Sequence, residues 1–108
     1  MKKLLYQEIL EQRKTLDEIK NLNRHPITLI LHNIRSAYNV GSIFRTSDSA
    51  LIEKIILCGF TPHPPNNEIE KTSLGAINSV PWTYEKDIIN AIEKERTMGK
   101  SIYAVELT

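Results

Sequence analysis

The chain has 108 residues, 14 Lys plus Arg against 13 Asp plus Glu, and 41% hydrophobic residues, a profile that predicts one globular domain and leaves no room for a second. A net charge of +1 excludes a strongly basic protein that coats nucleic acid by bulk attraction. No apolar run approaches the ~20 residues of a membrane span, and Gln7, Glu8 and Glu11 interrupt any signal core after Lys2 and Lys3, so a cytoplasmic protein with no membrane partner is expected. A single cysteine, Cys58, excludes an intramolecular disulfide, and His25, His32 and His63 are too scattered to suggest a metal site.

Residues 2–22 lack Gly and Pro and place Leu5, Ile9, Leu16, Ile19 and Leu22 near helical spacing, which predicts an amphipathic helix. Its apolar face packs on its own domain or serves as a partner-facing or RNA-facing arm. Residues 1–25 carry six cations against four anions, whereas residues 61–108 carry five against seven, so contact with a polyanion is expected in the amino-terminal half. Pro26 separates this segment from the rest, giving a division into a helix over 1–25 and a domain over 26–108.

Ile27 to Leu31 is a short β-rich run suited to a strand buried on both faces, as in a parallel sheet. Val40, Ile43, Phe44 and Leu51 then recur at helical spacing, which predicts a helix over Val40–Ala50 with Asn39 as its N-cap. Lys54 to Cys58 repeats the buried-strand pattern and closes at Gly59. Gly59 to Thr83 is long for a structureless connection and predicts short helical turns and a functional role. Ile88, Ile89 and Ile92 predict a second crossover helix over Tyr84–Met98 ended by Gly99, followed by a third strand over Ile102–Leu107. The fold class is α/β: a partial, Rossmann-like parallel sheet flanked by helices.

Chemistry concentrates between the first strand and the following helix, in H-N-I-R-S-A-Y-N-V-G-S-I-F-R-T from His32 to Thr46. Open α/β sheets bind ligands outside the carboxyl ends of their strands, where Asn33, Arg35, Ser36 and Asn39 supply hydrogen-bonding groups. Gly41 either admits a ligand backbone or lets another helix pack closely. Arg45 is either a ligand-facing cation or one half of a salt bridge to Asp48 or Glu53. Neither G-x-G-x-x-G nor G-x-x-x-x-G-K-[ST] occurs, and no nucleophile has a neighbouring base.

The stretch N-x-x-S-x-x-N-x-G-x-x-x-R-T from Asn33 to Thr46 resembles the first motif of the SpoU or TrmH type of SPOUT RNA methyltransferases. E-K-I-I-L-C-G at Glu53–Gly59, K-T-S-L-G-A at Lys71–Ala76 and V-P-W at Val80–Trp82 agree with it, so the likeness covers roughly residues 25–108. The resemblance implies methyl transfer from S-adenosylmethionine to a ribose 2'-hydroxyl of tRNA or rRNA by a homodimer, without a metal. It implies catalytic roles for Arg45 and Asn39, RNA contacts at Asn33, Arg35, Ser36 and Gly41, and a border of the cofactor pocket at Glu106 and Leu107. Ala50 and Leu51 stand where the family usually has an aromatic residue and then Gly, which predicts an altered turn into the second strand. The family's later N-E-G and S-L-N segments, which build its knot and most of its cofactor pocket, do not occur in the 108 residues, so an incomplete SPOUT-type fold is expected. A non-catalytic RNA-binding or dimerisation module is the alternative reading.

Overall fold

The structure, a computed structural model, describes residues 23–105. The helix expected over residues 2–22 lies outside them, as do Glu106 and Leu107. Three parallel strands, β1 (His25–His32), β2 (Ile52–Cys58) and β3 (Trp82–Glu85), form one sheet with β2 in the centre. Helix α1 (Ala37–Ser49) links β1 to β2, α2 (Asn67–Ser73) and a 3-10 turn at Ala76–Asn78 precede β3, and α3 (Ile88–Thr97) follows it.

Alternation along the strands splits the apolar residues between two faces. The register pairs Leu29 with Ile55, Leu31 with Leu57 and Ile55 with Trp82, and these side chains meet Val40 and Phe44 of α1 and Ile69 of α2 in the main core. On the opposite face Ile56 and Cys58 pack with Ala91 of α3. Val40, Phe44, Ile55, Leu57 and Ile69 are fully buried.

The α3 face replaces part of this apolar packing with ions. Glu95 is buried, with Lys54 Nζ 3.1 Å from its Oε2 and Lys100 Nζ 3.6 Å from its Oε1. Lys100 also donates to Thr28 Oγ1 at 2.6 Å and to Glu53 at 2.8 Å. Burial opposes ionisation of Glu95, but the polar Thr28 hydroxyl nearby and the charges of Lys54 and Lys100 outweigh it and hold the carboxyl below its ordinary range.

Two boundaries and one strand differ from the sequence reading. Helix α1 starts three residues before Val40, because Ser36 rather than Asn39 is the N-cap: its hydroxyl accepts from Asn39 N at 3.1 Å. The third described strand is β3, and of the run expected at Ile102–Leu107 only residues 102–105 are described. Residues 101–105 form no strand, and Tyr103 and Val105 are exposed, since a strand needs a partner and no described strand pairs there. Trp82 to Glu85 takes that place beside β2, entered through Pro81, whose carbonyl accepts from Ile55 N at 3.0 Å. Helix α3 consequently begins at Ile88, where Asp87 caps Ile89 N at 2.9 Å. Its end matches the role expected of Gly99, which has φ +86°. Gly99 N bonds Arg96 O and Lys100 N bonds Glu95 O, the paired bonds of a Schellman motif.

Leu51 adopts φ +57°, a left-handed conformation that a glycine would take without a steric cost. Among the described residues no helix is long and apolar enough to cross a membrane.

Candidate RNA interface at the carboxyl edge of the sheet

The loop from Asn33 to Ser36 leaves the carboxyl end of β1 and is tied to the turn after β2 through its own Asn33 side chain and through Thr61. Asn33, at φ +57°, accepts from Phe60 N through Oδ1 at 2.9 Å. Gly59, at φ +64°, passes directly beneath that oxygen, where an added Cβ would collide with it. The buried Thr61 hydroxyl accepts from Ile34 N at 3.1 Å. Its single proton is shared between Cys58 O at 2.7 Å and Leu31 O at 3.0 Å. A run of main-chain polar groups at two strand ends is thereby satisfied by one hydroxyl and one amide.

Arg35, Ser36, Asn39 and Arg45 are exposed. Both carboxylates that could have taken Arg45 are engaged elsewhere: Asp48 with Arg24 at 2.9 Å and Glu53 with Lys100 at 2.8 Å. Among the described residues no carboxylate pairs with Arg45 or Arg35. Asn39 and Arg45 lie on the same helix, yet six positions separate them by about 120° around its axis and about 9 Å along it. Asn39 lines a groove of about 560 Å³ between β1 and α1 with Leu29, Ile34, Ser42, Ile43 and Ile52, and Arg45 does not. One chain therefore does not bring the two residues to a common point.

Gly41 is buried against α2, where an added Cβ would meet Thr72 Oγ1 and come within 2.8 Å of Ile69 O. The space above it is taken by α2, so this glycine serves helix packing, the other of its two sequence readings, and presents no open backbone to an RNA strand.

The sequence reading counted Arg24 only as a charge. Its side chain is 5% exposed and spans three elements, donating to Ile52 O at 2.8 Å, Asp48 Oδ1 at 2.9 Å and Ser79 O at 3.1 Å. Thr61 was likewise missed, since a lone hydroxyl after Gly-Phe carries no signal of its own. An aromatic group was missed too: the His63 ring is tilted against Tyr84 with centroids 4.8 Å apart and stacked with Trp82 at 6.3 Å. The i, i+2 spacing of Trp82 and Tyr84 on a strand was the available signal.

Residues 26–108 match the SpoU rRNA Methylase family. The chain belongs to that family. A Staphylococcus saprophyticus protein assigned to the TrmH family of tRNA/rRNA methyltransferases is 26% identical over 101 residues, which is 94% of this chain and 38% of that protein. Among solved structures, an rRNA methyltransferase from Sinorhizobium meliloti superposes with a TM-score of 0.60 at 24% identity, over 68% of this chain and 28% of that one. The SpoU methyltransferase AviRb from Streptomyces viridochromogenes gives 0.60 at 19% identity, over 77% and 34%. These structures support the fold, three parallel strands flanked by helices, and the chain spans about a third of their length. Both proteins were also crystallised with bound AdoMet.

The SpoU fold in this chain does not by itself fit that cofactor among the described residues. The groove beside α1 offers Asn39 and the Ser42, Thr46 and Ser47 hydroxyls among apolar walls, with no carboxylate to face a sulfonium. Glu106 and Leu107, implied at the cofactor's border, lie outside the described residues. Among the described residues no cluster of His, Cys, Asp or Glu could hold a metal ion.

Proposed function

We propose that this chain supplies the RNA-positioning part of an S-adenosylmethionine-dependent methyltransferase whose acceptor is a ribose 2'-hydroxyl of tRNA or rRNA. The observation that carries the reading is the first SpoU motif folded at the carboxyl edge of the sheet, with Arg35 and Arg45 exposed and unclaimed by any described carboxylate.

A 2'-hydroxyl that attacks a methyl group must lose its proton, and negative charge develops on the oxygen. The planar guanidinium of Arg45 offers a fork of N–H donors, so its role is to hold phosphate and ribose and to stabilise that oxygen. Arg35 and Ser36 contact the RNA backbone, which orients the strand without reading its sequence. Asn39, 120° away around α1, acts from the groove side. A homodimer that covers the apolar groove would place a second chain beside Asn39, and we include it in the proposal. S-adenosylmethionine would supply the methyl group, held chiefly by residues outside those described, Glu106 and Leu107 among them.

Filter binding of a tRNA transcript across a range of salt concentrations tests the RNA side. The association constant should fall linearly with salt on logarithmic axes. Arg35→Ala and Arg45→Ala should each weaken binding and lower that slope by about 1. Unchanged affinity and slope in both variants would refute the assignment. Calorimetric titration with S-adenosylmethionine tests the donor side, and alkali-resistant linkages in RNA methylated by the protein would place the methyl group on ribose rather than on a base.

A further inference from the structure

Phe60 is an anomaly on this surface. It follows Gly59 at the carboxyl end of the central strand, and 77% of it is exposed. A ring that bare is not held by packing, yet its backbone is pinned from both sides. Asn33 Oδ1 accepts from its N–H at 2.9 Å, and the hydroxyl of Tyr84 donates to the preceding Gly59 carbonyl at 2.7 Å. Tyr84 is itself 42% exposed and carries His63 against its ring, with the imidazole fixed further by a 2.9 Å contact between Nδ1 and Pro64 O. The result is a set of aromatic groups at the strand ends, Phe60 in the turn after β2 and the His63–Tyr84 pair at the edge strand β3, anchored by main-chain bonds rather than by burial.

The charges beside this set suit a polyanion. Arg35 lies two residues from Asn33, exposed and without a described carboxylate partner, and Lys86 is exposed at the end of β3. The nearby acids are occupied: Glu85 pairs with Lys94 at 3.0 Å, and Asp87 caps α3. An apolar protein partner would gain nothing from the two cations, whereas an RNA strand offers phosphates to the cations and base faces to the rings.

We propose that Phe60, flanked by the His63–Tyr84 pair, is a platform on which an unpaired base of the RNA stacks, beside the nucleotide that the Asn33–Ser36 loop holds. The inference rests on the RNA reading above and narrows it: the bound segment is single-stranded, since a base within a duplex has no exposed face to give. Stacking on an aromatic side chain tolerates every base, so the platform adds affinity and strand selectivity rather than sequence specificity.

Three probes test it: a 12-nucleotide oligoadenylate, the same strand in a duplex, and a 12-nucleotide abasic strand. The protein should bind oligoadenylate more tightly than either of the others. Phe60→Leu keeps an apolar side chain and removes the ring; it should weaken oligoadenylate binding by about 5- to 100-fold while leaving the abasic strand unchanged, and Phe60→Trp should restore it. Circular dichroism confirms that the variants fold, as expected for an exposed site. Wild-type protein that binds RNA in a salt-dependent way but is indifferent to Phe60→Leu would overturn the platform and leave the RNA reading standing. No RNA binding by wild-type protein would overturn both. A change of oligomeric state in Phe60→Leu without a change in RNA affinity would assign the ring to a protein interface and overturn the platform.

Discussion

The sign of one substitution tests how α1 and α2 pack. In an exposed helix interior, Gly→Ala stabilises by about 1 kcal/mol, because alanine has the higher helix propensity. Position 41 is an interior position of α1, so propensity alone predicts that Gly41→Ala raises stability. The structure predicts the opposite. The new Cβ would collide with Thr72 Oγ1, which cannot rotate away without losing its 2.9 Å bond to Glu68 O, and would lie 2.8 Å from the main-chain oxygen of Ile69. Relief requires α2 to move off α1, and overpacking of this kind costs about 1–3 kcal/mol. Set against the propensity gain of about 1 kcal/mol, the net effect is a loss of up to about 2 kcal/mol. Urea unfolding followed by circular dichroism should show a lower midpoint with an unchanged slope. Adding Thr72→Ala should recover part of the loss and give a measurable coupling between the two sites. A higher midpoint in Gly41→Ala would refute close packing of the two helices.

Three further outcomes follow from buried polar groups. Arg24→Leu leaves Ile52 O and Ser79 O without their donor and should cost about 2–4 kcal/mol by thermal or urea unfolding, whereas Asp48→Asn, at a partner 38% exposed, should cost less than about 1. The depressed Glu95 carboxyl contributes stability that is complete above the unfolded glutamate value of about 4.3 and is lost as pH falls through the lower folded value. Urea midpoints should therefore drop on acidification below about pH 4.5, and Glu95→Gln should reduce the steepness of that drop. Burial, with the negative charges of Glu85 and Asp87, raises the Cys58 thiol above its ordinary range. The thiol should thus be inert to Ellman's reagent at pH 8 in the folded protein and react at once in urea; rapid labelling of the native chain would contradict its placement.

Both strands of the first unit and the helix between them were legible, the strands as short apolar runs, here Ile27–Leu31 and Lys54–Cys58, but only the central β2 is buried as expected: β1 lies at the sheet edge, half-buried or exposed throughout, with Ile27 48% exposed. Pairing then lengthened them to His25 and Ile52, a boundary set by the partner strand rather than by side chains. The third strand was misplaced because two β-rich runs compete for it. The boundary between the long connection and the helix cuts the first of them, with Trp82 and Thr83 on the connection side and Tyr84 at the helix start, and periodicity cannot say which run finds β2. At the site, Arg45 was legible from the motif, but its availability was not. That depended on Arg24 and Lys100 claiming Asp48 and Glu53, contacts made across 24 and 47 positions of chain. The cap moved from Asn39 to Ser36 for a local reason: hydroxyl and amide are both good caps, and only the helix start chooses between them.

The bonds that Asn33 and Thr61 make between the two strand ends have a thermodynamic consequence for recognition. A flexible loop that closes on RNA loses its conformational freedom at the moment of binding, and that loss subtracts from affinity. Here the β1 loop and the Gly59–Thr61 turn are ordered when the sheet forms. Severing the link at Thr61, a residue given no contact with RNA, would transfer that entropy loss from folding to association and turn a preorganised surface into one that must assemble on its ligand.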